Sequence, residues 1–171
     1  ARTRELGLDG LSFSGIPVFG SDADQAAQKA VASLFIEKFA AVAGPDKELL
    51  LLFEGDPQFL APADRAKVDY FVLDTKETDN ATDLKLQVLR ALSAGAVPCN
   101  KLLLGAMTEY EFTDEDKGAA DAISALTIRI PEIGPQPLAG LCIYSVNADY
   151  FGAEFIYPLT RQAIQTLNPS K

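Results

Sequence analysis

Five short apolar runs recur along the chain with helix-periodic segments between them, and this alternation limits the fold more than any other feature. The strand-like runs are Leu8 to Ser14, Glu48 to Phe53, Asp69 to Asp74, Lys101 to Gly105 and Leu138 to Val146. Leu49-Leu50-Leu51-Leu52 is apolar without alternation, which fits a strand covered on both faces, as in parallel sheets. Between the first two runs, Asp22 to Ala40 reads as a helix, with Ala27, Val31, Leu34, Phe35 and Phe39 at helical spacing. Ser21 or Asp22 is its natural N-cap, and Gly44-Pro45 ends it. Thr82 to Leu92 is a second helix, with Leu84, Val88, Leu89 and Leu92 on one face and Gly95 closing it. Asp114 to Ile130, with Ile123, Leu126 and Ile130 apolar, is a third. Tyr157 to Leu167 is a closing helix that stops at Asn168-Pro169.

A repeated βα pattern predicts an α/β fold with a parallel sheet and helices outside it. The strand centres lie near Leu11, Leu51, Val72, Leu103 and Ile143, roughly 33 residues per unit. Eight such units would need roughly 260 residues, the size of a (β/α)8 barrel, and this chain has about five. Five strands also suit a doubly wound sheet, but no glycine-rich phosphate loop follows the first strand. Gly105-Ala106-Met107-Thr108 and the stretch from Gly15 to Gly20 are too sparse to serve as one. No low-complexity tract or interdomain linker interrupts the chain. The Pro-rich stretch Pro131 to Pro137 reads as the loop entering the fifth strand. Residues 1–171 are therefore expected to form a single partial barrel domain.

Charge and residue counts narrow the function. The 171 residues carry 15 Lys and Arg against 24 Asp and Glu, a net charge of −9. That sign opposes nucleic acid and anionic membrane surfaces. No apolar run reaches the roughly 18 residues a membrane-spanning helix needs. His is 0, which excludes Ser-His, Cys-His and His-metal chemistry within this chain. The cysteines number 2, Cys99 and Cys142, with no C-x-x-C; each has apolar neighbours, so both read as buried thiols of unknown redox state. Glu109 to Asp116 is acid-rich but lacks the residue order of an EF-hand, and reads as a solvated loop and helix start. No cofactor or metal is implied. The chain begins Ala1-Arg2-Thr3-Arg4 without Met or a hydrophobic signal region, so a leader has been removed or this is not the natural start.

Several segments resemble glycoside hydrolase family 18, especially the barrels of Bacteroidetes, in the right order over essentially the whole chain. Leu8-Asp9-Gly10-Leu11-Ser12-Phe13-Ser14 resembles the family's fourth strand, and Val68-Asp69-Tyr70-Phe71-Val72 its sixth. Val97-Pro98-Cys99-Asn100-Lys101 running into Leu102-Leu103-Leu104-Gly105 resembles its seventh. Ala139 to Ser145 resembles its eighth, and Tyr157 to Pro169 resembles the closing helix. The resemblance implies a TIM barrel of which this chain carries the C-terminal part, strands four to eight. A fragment of a longer protein is the expected explanation, with a natural half-barrel as the alternative. Five units alone leave two sheet edges bare and the inner face of the strands unpacked.

The family's fourth strand carries D-x-x-D-x-D-x-E, whose last Glu protonates the glycosidic oxygen. By resemblance those positions are Asp9, Ser12, Ser14 and Ile16 here, so three of the four acids are replaced. Ile cannot donate a proton, and Ser carries no charge at neutral pH. Leu73-Asp74-Thr75 stands where the family's Tyr is usual, and the eighth-strand Trp reads as Tyr144. The expectation is a catalytically inactive barrel. The alternatives are a shifted strand register or a replacement by other acids. Glu54, Asp56, Asp74 and Glu109 follow strands on the face where barrels place chemistry, and Glu54 with Asp74 could form a two-carboxylate pair. Each of them could equally be a solvated or N-capping carboxylate.

An inactive barrel can still bind sugar, because aromatic faces stack on sugar rings while carboxylates and amides hold hydroxyls. The candidate binding residues are Glu54, Asp74, Glu109, Tyr144 and Asn147, with Tyr110, Phe112, Tyr150 and Phe151 as further aromatic groups. Core packing is the competing reading for Tyr144, Tyr150 and Phe151. The expected function is a non-catalytic glycan-binding or scaffold module. The alternatives are a hydrolase acting on chitin- or N-glycan-type glycans, or a protein-interaction module. The partners implied are a glycan containing N-acetylglucosamine and the missing half of the barrel or another chain, with no nucleic acid. By resemblance the protein is exported, periplasmic or at the cell surface.

Overall fold

The computed structural model describes residues 5–14, 21–43, 49–75, 81–94, 97–107, 138–144, 160–161 and 164–165. Five strands, β1 (Gly10–Ser14), β2 (Leu50–Glu54), β3 (Tyr70–Leu73), β4 (Leu102–Met107) and β5 (Gly140–Tyr144), form one sheet in chain order. Every neighbouring pair is parallel. Helix α1 (Asp22–Ala43) joins β1 to β2, the one-turn helix α2 (Pro62–Arg65) precedes β3, and α3 (Ala81–Ser93) follows it. All five strands form at the apolar runs expected for them, with β2 running one residue and β4 two residues past the expected ends. The order of the strands and the helical crossovers are those of an (β/α)8 barrel with part of its ring present.

Side chains alternate across each strand, and the outer, helix-facing side is the core. Leu51, Phe53, Phe71, Leu102 and Leu104 there are each at most 1% exposed. Phe13, Phe53 and Phe71 lie in register across three strands, with ring centroids 5.1 and 6.1 Å apart. Helix α1 packs on this layer through Ala32, Ile36, Phe39 and Ala43, and α3 through Leu84, Val88 and Ala91. Polar ties fix the strand ends. The Asp69 carboxylate accepts from the Leu51 N–H at 2.9 Å, and Lys101 Nζ donates to the Val68 carbonyl at 2.8 Å.

The N-terminus of α1 follows the sequence, its stop at Gly44-Pro45 lies outside the described residues, and its buried face follows the sequence only in part. Ser21 caps the helix: its hydroxyl and backbone N–H donate to Asp24 Oδ2 at 2.8 and 2.9 Å. Of the expected face, Phe39 is buried and Phe35 packs on Phe13 of β1, whereas Ala27, Val31 and Leu34 are exposed, Val31 at 68% and Leu34 at 55%. Apolar residues occur nearly all round α1, so their spacing does not select a face. The buried seam instead includes alanines, Ala32 and Ala43, which let the helix sit close to the sheet. In α3, Leu84 and Val88 are buried as expected, whereas Leu89 is exposed and Ala91 takes the place beside them.

Of the expected closing helix, Thr160, Arg161, Ile164 and Gln165 are described, and all four are helical. The expected helix from Asp114 to Ile130 lies outside the described residues. Cys99 and Cys142 are free thiols, and both are half-buried rather than fully enclosed. Among the described residues no helix is long and apolar enough to cross a membrane.

Candidate functional site

The orientation of β1 sets the inner face. Phe13 points outward to Phe35 of α1, centroids 4.9 Å apart, so Ser12 and Ser14 point to the opposite, concave side. Carrying the parallel register across the sheet places Leu52 and Glu54, Tyr70 and Val72, Leu103 and Gly105, and Cys142 and Tyr144 on the same side. Ser12 and Ser14 are exposed there, without charge to lend to chemistry. Gly10 has a steric reason to be glycine: a Cβ on it would run into the Leu50 carbonyl oxygen of the paired strand.

One cluster stands out on the concave face. Tyr144, the last residue of β5, reaches Glu54, the last residue of β2, with Cys142 beside them. These strands are three spacings apart, about 14 Å at about 4.8 Å each, so a flat sheet would hold the two side chains out of reach. The sheet must curl for them to meet, as a barrel wall does. Gly105 of β4 clears the path, since a Cβ on it would stand 3.2 Å from the Tyr144 ring and 2.9 Å from the Leu73 carbonyl oxygen. Burial first, and the neighbouring Glu54 carboxylate second, hold the Tyr144 phenol protonated far above its ordinary value of 10.0. The site therefore presents a half-buried aromatic ring, a phenol that remains a donor, a carboxylate that accepts, and a thiol.

The other sequence-derived candidates fall elsewhere. Asp74 is exposed and lines a separate cavity of about 270 Å³ with Asp56, Gln87 and Arg90. Asp56 caps the 3-10 turn Pro57–Phe59, its carboxylate accepting from the Gln58 N–H at 2.9 Å. Asp9 is exposed just before β1, and its carbonyl accepts from the Leu50 N–H at 2.8 Å. Ile16, Glu109, Asn147, Tyr110, Phe112, Tyr150 and Phe151 lie outside the described residues. Sequence reasoning missed Gly105 and treated Cys142 as a core thiol. The signal for Cys142 was its position two residues before Tyr144 on one strand, which puts both on one face. Among the described residues no group of three or more His, Cys, Asp or Glu side chains is placed to hold a metal ion.

A curled, parallel βα wall with its polar cluster on the inner face, at the strand C-termini, defines part of a TIM-barrel protein. Residues 3–166 match the family model described as glycoside hydrolase family 18, BT1044-like. The chain belongs to that family. Solved structures agree in fold. A selenomethionine form of BT1044 superposes with TM-score 0.66 at 15% identity, over 98% of this chain and 56% of its own. An endo-beta-N-acetylglucosaminidase from Cordyceps militaris gives 0.72 at 16% identity, over 98% and 59%. The chitinase ChiB from the chitin utilization locus of Flavobacterium johnsoniae gives 0.61 at 14% identity, over 96% and 62%. The chain thus spans a little over half the length of these structures. A comparison with curated proteins gave no match.

Proposed function

We propose that the chain is the glycan-binding, non-catalytic part of a family 18 barrel, holding an N-acetylglucosamine-containing glycan on its concave face. The observation that carries the reading is the Tyr144–Glu54 cluster at the strand C-termini, with Ser14 paired to Glu54 in the ladder; by resemblance Ser12 and Ser14 stand where the family has acids. A half-buried ring over Gly105 offers a stacking surface, and Glu54 accepts from a sugar hydroxyl. By resemblance the place of the proton-donating acid falls at Ile16, which has no proton to give, and Ser12 and Ser14 before it carry no charge. The names of the solved relatives, an endo-beta-N-acetylglucosaminidase and chitinases, support the choice of glycan. The remaining barrel wall comes from a further βα segment, and the protein works outside the cytoplasm.

The test is calorimetric titration with chitotetraose, alongside product analysis of the same mixture. Saturable binding that Tyr144→Ala weakens about tenfold or more, with no cleavage, is the expected result. Cleavage that Glu54→Gln abolishes would replace this reading with that of a hydrolase using a shifted acid. Absence of binding by the folded chain would leave the protein-interaction reading.

A further inference from the structure

The segment between β2 and β3 has only the one-turn helix α2 where a barrel ordinarily places a full helix. The helical layer is consequently open, and a cavity of about 620 Å³ lies between α1, the turn Pro57–Phe59 and α2. That size suits a small organic ligand. The cavity lies in the helical layer, on the other side of the sheet from Tyr144 and Glu54.

Its polar groups are unevenly matched. Asp64, 5% exposed, accepts from Ser33 Oγ at 2.6 Å and pairs with Lys67 Nζ at 3.3 Å, so its charge is met. Lys29 and Arg65 have no carboxylate partner among the described residues. Lys29 Nζ rests 6.0 Å from the centre of the Phe59 ring, and Arg65 Nη1 donates to the Pro57 carbonyl at 3.5 Å. Two cations without an anion are notable on a chain of net charge −9. The Gln58 amide nitrogen is buried with no partner among the described residues, so turning that amide toward the cavity would break no hydrogen bond. The rest of the wall is Phe59 and small aliphatic side chains.

We propose that this cavity binds a small organic carboxylate, its anionic group on Lys29 and Arg65 and its apolar body against Phe59. A guanidinium fork matches a carboxylate, and Arg65 keeps donors beyond the one given to Pro57. The Lys29 ammonium, held over the ring by a weak cation–π contact, is free to swing onto the anion. Gln58 supplies a further donor. The proposal is independent of glycan binding on the concave face.

Phenylacetate titrated into the full 171-residue chain by calorimetry is the test, with phenylacetamide as the uncharged analogue and acetate as the anion without a body. Saturable phenylacetate binding is expected, weakened about tenfold or more in Lys29→Gln and in Arg65→Lys, and unchanged in Tyr144→Ala. Lys29 is exposed, so Lys29→Gln should melt like the parent and keep the comparison valid. No saturable binding by the folded chain would overturn the proposal, as would an unchanged affinity in Lys29→Gln. Equal affinity for phenylacetamide would remove the role of the cations, and equal affinity for acetate that of Phe59; either result overturns it.

Discussion

Gly105 is where strand geometry and site chemistry meet in one residue. The Gly105→Ala methyl would press on the Leu73 carbonyl oxygen at 2.9 Å, which is backbone and cannot swing aside, and on the Tyr144 ring at 3.2 Å. Overpacking of this kind costs about 1–3 kcal/mol. Chemical denaturation should show that loss, and chitotetraose affinity should fall with it because the ring is displaced from Glu54. Tyr144 itself carries a pH dependence. Its phenol ionises near 10.0 when unfolded but stays protonated in the fold, so the folded state holds the proton more tightly. Stability contributed this way is intact below about pH 10 and declines as the pH rises above it. Thermal melts from pH 9 to pH 11.5 should show a steeper decline for the parent than for Tyr144→Phe. Equal slopes would mean that Tyr144 is not enclosed.

At the level of elements, α1 separates what apolar spacing can and cannot specify. Ile36 is 0% exposed and Leu34 is 55% exposed, although both are large aliphatic residues two positions apart. Ile36→Ala should therefore cost about 2–5 kcal/mol, and Leu34→Ala within about 0.5 kcal/mol, measured by urea unfolding. The reverse order would restore the face expected from spacing. The N-terminus offers a second check. Hydrogen bonds from the Ser21 hydroxyl and backbone N–H hold the Asp24 carboxyl below its ordinary value of 3.8. Ser21→Ala should lose about 0.5–2 kcal/mol at neutral pH, and the gap should narrow as acid protonates Asp24 below about pH 4. Strand positions and the α1 cap were legible because runs such as Leu49 to Leu52 and the Ser21–Asp24 spacing act locally. The α1 face was legible only in part, because thirteen of its residues from Ala26 onward compete in an all-round apolar sequence while two alanines decide the contact. Ser12 and Ser14 lie on the concave side because Phe13 between them packs outward on α1. The meeting of Tyr144 with Glu54 was beyond reach, since it depends on sheet curvature, and so was the shortness of α2 that opens the outer cavity.

The described residues form a wall whose first strand has a free side. β1 stands first in the sheet with no strand beyond it among the described residues, and α1 packs on it through Phe35 and Phe13. Val31, Leu34 and Val42 are 68%, 55% and 48% exposed on α1, and Leu6 and Leu8, just before β1, are 63% and 47% exposed. Exposed apolar side chains near an unpaired strand are a place for another βα unit to dock, since the strand needs a ladder partner and the helix a neighbour. The solved relatives have chain to spare for this, because the present sequence accounts for 56% and 59% of two of them. Left without that segment, the surface should pair with itself. Sedimentation of the isolated chain at tens of micromolar should show species larger than a monomer. A Val31→Lys, Leu34→Lys double substitution should shift the distribution toward monomer, and at dilutions where both chains are monomeric it should melt like the parent, because neither side chain is in the core. Adding a separately expressed segment that supplies the three remaining βα units should compete with self-association and raise the melting temperature. A chain that stays monomeric, with the double variant indistinguishable from it, would mean that the edge is covered from within and that no partner is needed to complete the wall.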